Sequence, residues 1–434
     1  MLKGIHTSLS RREFVKGAAA ISASSLLVNP GAVFAAGPET IKLGLIGCGG
    51  RGSGALENCI AAAKHLGLNT EVVALADYFM ERAVGTAQKV GAPEDRCHAG
   101  ADAYKKVVAS NADVVLMATP PNFRPIHFEA AVNAGKHVFM EKPVAIDPPG
   151  ARKIMASGKQ ALEKKLAVVA GTQRRHQAAY LQTAHAIANG AIGKLMGGQI
   201  WWCGGALWYR TRNEGESDAD YMVRNWVSFT EMSGDHIVEQ HVHNIDVANW
   251  YIGRVPESAL GFGGRARRQT GNQYDFFSVD FDYGNDVHIH SMCRQIDGCY
   301  NRTSEYLVGT DGAVWGTGPG QGGYKKSIQL PEFEEFGGPY VQEHVDLLKS
   351  IVDGKPINEA HNVAESTLSG IMGRISAYTG QNVRWRELMD ESLNSPWYNL
   401  TLAATGEDFE KGTVVAPPDD VVAIPGSGPR QRRS

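Results

Sequence analysis

The stretch Gly47-Cys48-Gly49-Gly50-Arg51-Gly52 places glycine first, third and sixth, between an apolar run at 41–46 and a helical run at 55–66. Each of the three glycines has a separate use. Gly47 permits a tight turn, Gly49 lets a pyrophosphate approach the backbone, and Gly52 lets helix and strand pack closely. The helix start that follows, reached through Cys48, Gly50 and Arg51, presents free N–H groups and partial positive charge to phosphates. In a chain with 50 glycines this spacing can arise by chance, so a second mark is needed. The next apolar run, 71–76, ends on Asp77, at the distance of a carboxylate that holds a ribose 2′-hydroxyl. Tyr78, not a basic residue, follows it. A carboxylate there repels a 2′-phosphate, so the pattern points to NAD rather than NADP.

A lysine supplies a second chemical group. The run 137–140 reads as a strand that ends in Glu141-Lys142-Pro143. Carboxyl ends of parallel strands face the ligand crevice, and proline fixes the turn after the lysine. Lys142 can therefore donate to a substrate hydroxyl or carbonyl. Alkoxide-like charge develops on that oxygen during hydride transfer, and a positioned ammonium stabilises it. The apolar strand at 113–118 ends in Thr119-Pro120-Pro121-Asn122, so Thr119, Pro120 and Asn122 are expected against the cofactor, with Glu141 and Lys142 beside them.

Further along, residues 234–251 read GDHIVEQHVHNIDVANWY. If 237–251 is one helix, Glu239, His243, Asp246 and Trp250 share a stripe and His241 lies opposite. Glu239 and His243, four apart, have a metal-ligand spacing, with His236 and His241 near. No further cluster of ligands accompanies them, and no metal is expected.

The run Ala134-Gly135-Lys136-His137-Val138-Phe139-Met140-Glu141-Lys142-Pro143 resembles the AGKHV-x-x-EKP signature of the glucose-fructose oxidoreductase/inositol dehydrogenase (Gfo/Idh/MocA) family. The glycine loop, Asp77 and Thr119-Pro120 stand in matching order, and the resemblance covers roughly 41–384. It implies an α/β protein: an N-terminal Rossmann domain, then an α+β domain whose open, mostly antiparallel sheet covers the nicotinamide. It implies that Lys142 is the catalytic lysine. The family's D-x-x-x-H-x-x-D is matched by Glu239-x-x-x-His243-x-x-Asp246, with one departure: Glu239 is a methylene longer than the family's aspartate. By that match His243 is the general base, a task that suits an imidazole of near-neutral pKa, and Asp246 orients or charge-tunes it. Gln173–His176 matches a segment that approaches substrate in family members, so Arg174, Arg175 and His176 are binding candidates alongside His243.

Around these residues the coarse organisation is legible. Helices are expected at 148–164, 178–189, 340–352 and 362–378, and strands at 194–203, 261–268, 276–282, 287–293 and 303–308. The segment 204–233 reads as one long loop, a length usually reserved for function. Its Trp208, Tyr209 and Arg224 suit a carbohydrate, since flat rings stack on sugar C–H faces and guanidinium groups bind hydroxyls; other aromatics there are expected to pack the loop itself. The divisions are a signal peptide at 1–36, a Rossmann NAD-binding domain at 40–166, a substrate-binding and oligomerisation domain at 167–390, and a tail at 391–434. The tail ends in Arg430–Arg433 and reads as an arm over a neighbouring subunit or as disordered. The family likeness implies a homo-oligomer, dimer or tetramer, formed through the exposed sheet face.

With 434 residues, 43% hydrophobic and 21% charged, the chain has the composition of an ordinary globular protein of two or three domains. A formal charge of −3 provides no basic field for nucleic acid. The six cysteines show neither C-x-x-C nor a His/Cys metal spacing. Ser10-Arg11-Arg12-Glu13-Phe14-Val15-Lys16, the mildly apolar run 17–28 and the small residues Ala35 and Ala36 read as a twin-arginine (Tat) export signal. The Tat export machinery is thus an expected partner and the periplasm the expected location, with a membrane anchor if the signal stays uncleaved. That route carries folded protein, so NAD can be loaded before export. Free NAD should be scarce outside, which favours a tightly held cofactor recycled in place.

These readings converge on an exported NAD-dependent oxidoreductase acting on a ring hydroxyl of a sugar or glycoside. One alternative is an NAD-dependent glycosidase that oxidises, eliminates and re-reduces one bound sugar. Family glycosidases of that kind typically lack the lysine that Lys142 supplies. Another is a non-catalytic sugar or nucleotide sensor, which could have lost Lys142 and His243; both are retained.

Overall fold

Short, uninterrupted apolar runs such as Val114–Met117, buried at every position, are the mark of strands covered on both faces. In the computed structural model, which describes residues 40–427, six strands form a parallel sheet, this one near its middle. The expected signal peptide at 1–36 and Arg430–Arg433 lie outside the described residues. The strands are β1 (Thr40–Ile46), β2 (Asn69–Asp77), β3 (Cys97–Ala99), β4 (Val114–Met117), β5 (His137–Met140) and β6 (Val168–Ala170). Their order is β3-β2-β1-β4-β5-β6, so the direction of winding reverses between β1 and β4 and opens a crevice at their carboxyl ends.

Helices α1 (Gly50–His65), α2 (Met80–Val90), α3 (Tyr104–Ala109), α4 (Arg124–Asn133) and α5 (Pro148–Glu163) connect or flank these strands. Helix α5 starts where the sequence says it should: Asp147 accepts from the Gly150 amide at 2.9 Å, and proline follows at the first turn.

After α6 (Ala178–Ala188) comes the second sheet, with strands β7 (Leu195–Gly204), β8 (Ser258–Gly264), β9 (Phe276–Asp282), β10 (His288–Gln295), β11 (Arg302–Gly309), β12 (Gly312–Trp315), β13 (Gly318–Pro319) and β14 (Val383–Arg384). Their order is β13-β12-β11-β7-β10-β9-β8-β14. All neighbours are antiparallel except β7 and β10, which run parallel. Alternate residues Phe277, Val279 and Phe281 of β9 enter a core shared with Ile371, Met372 and Ile375, which belong to a long helix, Ala360–Thr379. The other face is open, with Leu260 and Phe262 more than half exposed. This is the α/β plus open-sheet architecture expected from the sequence.

Two local expectations change. The segment 204–233 is not one loop: it contains helices α7 (Asp218–Arg224) and α8 (Thr230–Ser233). The helix expected over 237–251 is broken into α9 (His236–Glu239) and α10 (Val242–Ile252). In an unbroken helix the Glu239 carbonyl would accept from the amide of residue 243. Here that carbonyl accepts from Lys142 Nζ at 2.6 Å, and the His243 amide turns to Gln240 O at 3.3 Å.

Candidate active site

Helix α1 begins at a bare backbone. Its N-cap is Gly49 and no side chain caps it, so the first-turn N–H groups are left for a ligand. A side chain on Gly52 would meet Gly47 O at 1.8 Å, and one on Gly47, itself at φ +94°, would meet the Thr119 amide at 2.6 Å. A side chain on Gly49 or Gly50 would meet nothing within 4 Å, only the open cleft. That cleft is lined by Gly47, Gly49, Gly50, Arg51, Gly52, Asp77, Thr119 and Pro120 among others. Bare amides at a helix start, close-packed glycines behind them and a carboxylate at the end of β2 fit a dinucleotide.

Asp77 also holds the loop together. Its Oδ2 accepts from the Cys48 amide at 2.7 Å and its Oδ1 from the Phe79 amide at 3.0 Å. Cys48 itself points inward, and burial pushes its thiol far up. Asn122 is a correction: it does not line the cleft. Its amide donates to Met232 O and its Nδ2 to Ala404 O, each at 3.3 Å, so it ties the Rossmann sheet to later chain.

Lys142 sits at the end of β5 with its Nζ between Glu239 O and Glu239 Oε1, at 2.6 and 3.2 Å. Glu141 points the other way. Its Oε1 lies 2.5 Å from Arg51 Nε, its Oε2 accepts from the Lys142 amide at 3.2 Å, and Arg51 Nη2 reaches Glu343 at 2.9 Å. The glycine loop and the lysine-bearing turn are thereby locked to each other. Arg124, which the sequence did not mark, does the same for a third segment: Nη2 donates to Thr119 O at 2.5 Å and Nη1 to Pro143 O. In the sequence it is only a charge at the start of a helix, with no motif around it.

His243 is buried on α10 and stacks on Trp202 of β7, ring centres 5.6 Å apart. Burial first, then the charges of Lys142, Arg174 and Arg51, hold its pKa well below 6.5. The imidazole is therefore neutral at ordinary pH and able to accept a proton. His241 faces away, hydrogen-bonded through Nε2 to Ser291 Oγ at 2.7 Å, and burial lowers it to about 3.

Asp246 does not orient His243. Arg175 takes both its oxygens, Nε to Oδ2 at 2.9 Å and Nη2 to Oδ1 at 2.8 Å, and Ser366 Oγ adds a third bond at 2.7 Å. His243 Nδ1 is buried with no hydrogen-bond partner. A stripe drawn on one unbroken helix does not survive the break after Glu239, and it carries no sign of a competing guanidinium. His176 is likewise engaged elsewhere. Burial alone would lower it, but Glu359 at 3.3 Å and Asp346 at 2.6 Å hold it well above 6.5. Of the three expected binding residues, only Arg174 is near enough to His243 to shift it; it is paired with Glu305 and lies 5.8 Å over Trp202.

Trp208 and Tyr209 are about half exposed, with Tyr209 Oη donating to Gln269 at 3.1 Å. Arg224 is not with Lys142 and His243 either. It pairs with Glu81 at 3.0 Å and lies 3.7 Å over the Phe79 ring, beside the Asp77 end of the cleft. Tyr78 and Trp226 line that cleft, together with Arg82, Tyr104, His127 and Val223, which no motif had marked. Among the described residues no group of three or more His, Cys, Asp or Glu side chains is placed to hold a metal ion.

Comparison with known proteins agrees with this arrangement. Residues 41–170 match a family model described as "Oxidoreductase family, NAD-binding Rossmann fold", and residues 180–315 match a GFO/IDH/MocA C-terminal domain. An inositol 2-dehydrogenase/D-chiro-inositol 3-dehydrogenase of Halalkalibacterium halodurans is 30% identical over 227 residues, covering 50% of this chain and 55% of the relative. An oxidoreductase of Streptococcus pneumoniae is 24% identical over 249 residues, covering 56% of this chain and 60% of the relative. The chain thus spans little more than half the length of these curated relatives. A crystal structure of scyllo-inositol dehydrogenase from Lactobacillus casei, with NAD(H) and scyllo-inositol bound, superposes with a TM-score of 0.61 at 17% identity. The match covers 80% of this chain and 99% of that one, a likeness of fold. NAD, the cofactor expected from Asp77 and the glycine loop, is the one this Rossmann domain binds. With both halves of the architecture matched in order, the chain belongs to the Gfo/Idh/MocA family of oxidoreductases.

Proposed function

We propose that the protein is an exported NAD-dependent oxidoreductase that removes hydrogen from a ring hydroxyl of a sugar or glycoside and keeps its cofactor tightly bound between turnovers. The observation that carries this reading is the neutral, buried imidazole of His243 close enough to the Lys142 ammonium for that charge to depress it. When bound, NAD accepts a hydride from the carbinol carbon. His243 takes the hydroxyl proton, since burial keeps the ring uncharged. Lys142 donates to the same oxygen and stabilises the negative charge that grows there. Glu239 holds the ammonium in place from two sides. Trp202 and Arg174 provide a flat face and hydrogen-bond donors of the kind a sugar ring uses. Structural relatives carry scyllo-inositol in one case and levoglucosan in another, which supports a polyhydroxylated ring as the substrate class. The twin-arginine pattern at 10–16 supports export to the periplasm through the Tat machinery, and the open face of the second sheet, with Leu260 and Phe262, supports a homo-oligomer.

The test uses protein purified from its native compartment without added cofactor. It is denatured and any released nucleotide identified; intact protein is then offered myo-inositol, levoglucosan and simple glycosides while reduced nicotinamide is followed by absorbance. Bound NAD that is reduced by one of these, and re-oxidised by a keto-sugar, is the expected result. Release of aglycone without net reduction would replace it with the oxidise–eliminate–re-reduce glycosidase. Absence of nucleotide, bound or taken up, would overturn it.

A further inference from the structure

The dinucleotide cleft is not closed by the Rossmann domain alone. Val223 and Trp226 line it, and they belong to the segment between β7 and β8. This segment is fastened to the cleft's Asp77 end. Arg224 Nη2 lies 3.0 Å from Glu81 Oε1 with its guanidinium stacked on Phe79, and Asp220 stands close enough to Tyr78, the neighbour of Asp77, for its charge to add to burial in raising that phenol.

A second piece of chain locks the first. Tyr221 Oη donates to the Asp419 carboxylate at 2.9 and 3.1 Å, and Asp419 Oδ1 also accepts from the Gly271 amide at 2.6 Å. The Ala416 amide donates to Asp218 Oδ2 at 3.0 Å. Phe409, on a short helix (Gly406–Lys411), packs against Phe123 at 4.9 Å and Tyr78 at 6.2 Å, both lining the cleft. Phe79, Phe123, Val223, Phe229, Met232 and Phe409 share one apolar cluster, separate from the cores of the two sheets. Three stretches far apart in sequence thus converge on the end of the cleft where Asp77 sits.

We infer that helix α7 with Trp226, held down by the C-terminal segment 404–419, is a clamp that retains NAD by blocking its exit, so that the cofactor exchanges slowly compared with turnover. The inference rests on the cleft being the NAD site. It assigns Val223 and Trp226 to cofactor contact and makes Tyr221, Phe409 and Asp419 positioning residues that act through them. Release of NAD then requires the aromatic cluster and the Asp419 bonds to open together, which makes exit slow without adding a contact to the nicotinamide.

The experiment measures NAD exchange on the full-length holoenzyme. Protein loaded with NADH is mixed with excess NAD, and loss of nicotinamide fluorescence gives the exit rate. Wild type is expected to exchange slowly. Asp419→Ala, which removes the carboxylate accepting from Tyr221 and Gly271, and Phe409→Ala, which removes the aromatic wedge, should each speed exit by about tenfold or more. Tyr221→Phe, which deletes only the hydroxyl and preserves packing, should act in the same direction and guards against a variant that fails to fold. Thermal unfolding of the apoprotein is recorded in parallel, and Tyr221→Phe should leave it nearly unchanged while still accelerating exit. Variants that fold and exchange NAD at the wild-type rate would overturn the clamp while leaving the cofactor site intact. Failure of the wild type to bind NAD at all would overturn both.

Discussion

Lys142 Nζ lies 2.6 Å from the main-chain oxygen of Glu239 and 3.2 Å from Oε1 of the same residue. One residue thus supplies the ammonium with a carboxylate and with a carbonyl withdrawn from helical bonding. The contact fixes the cation and at the same time separates α9 from α10. Lys142→Ala and His243→Ala should both retain bound nucleotide, because neither side chain lines the cleft of the glycine loop. Turnover should fall by roughly 10²–10⁴ in each. Nucleotide released on denaturation, set against reduced nicotinamide formed by intact protein, separates the two effects. Near-normal turnover in either variant would remove that residue from the chemistry.

The glycine loop allows a sharper comparison. A methyl group on Gly52 would sit 1.8 Å from Gly47 O, so Gly52→Ala should displace helix α1 from β1 and lower the unfolding midpoint markedly. A methyl group on Gly49 meets no protein atom within 4 Å and projects where a phosphate must approach. Gly49→Ala should therefore change stability by less than about 1 kcal/mol yet weaken NAD binding by tenfold or more. Calorimetric titration of NAD into both variants checks this; a Gly49→Ala protein with wild-type affinity would contradict it.

Asp246 is bound to Arg175 through both oxygens and lies almost wholly out of solvent. Asp246→Asn would leave that guanidinium without its counter-charge. Breaking a buried pair by changing one partner costs about 3–5 kcal/mol. The expected result is a large drop in denaturation midpoint with the acid limb of the activity profile unmoved, since Asp246 does not touch His243. A shift of that limb by a full pH unit would show a coupling that the geometry lacks.

Protonation supplies a further test. The folded pKa of His241 is lowered to about 3 by burial, whereas an unfolded histidine titrates near 6.5. Below about pH 6.5 the unfolded chain takes up a proton that the folded chain refuses, so this residue withdraws stability as pH falls. At about pH 5 the loss is on the order of 2 kcal/mol. His176 has the opposite sign: its raised pKa contributes stability that is fully present below about pH 6.5 and lost as pH rises through the folded value. Comparing His241→Asn with wild type isolates one residue. The variant should lose about 2 kcal/mol less between about pH 7 and about pH 5 in urea titrations. An identical pH dependence would mean that His241 is not buried neutral. For His243, likewise depressed, the acid limb of kcat/KM should lie below pH 6.5.

The parts of the fold governed by short-range rules were readable in advance. Gly47 and Gly52 announced a turn and a close helix–strand contact that only glycine permits, Gly49 and Asp77 completed the pattern, and the apolar run ending at Met140 put Lys142 at a strand terminus. What could not be read depended on long-range partners. No local rule reveals that Arg175 will claim Asp246, that Lys142 will interrupt a helix by taking Glu239's carbonyl, or that Arg224 will reach Glu81 rather than a substrate. Charged side chains are flexible and their pairing is decided by whatever tertiary structure brings near. The stacking of Trp202 on His243 likewise depended on the relative placement of β7 and α10.

The parallel pairing of β7 with β10 at the centre of an otherwise antiparallel sheet has a consequence for the order of assembly. Strands paired antiparallel can zip up from a tight turn, but a parallel pair has to wait for its whole crossover. Here that crossover holds α7, α10, β8 and β9. Pairing the middle of the sheet therefore means closing a long loop that contains the histidine-bearing helix and α7. Late closure of this kind makes folding slow, and it links completion of the scaffold to completion of the candidate site, so that a molecule with a finished second sheet already has His243 in place.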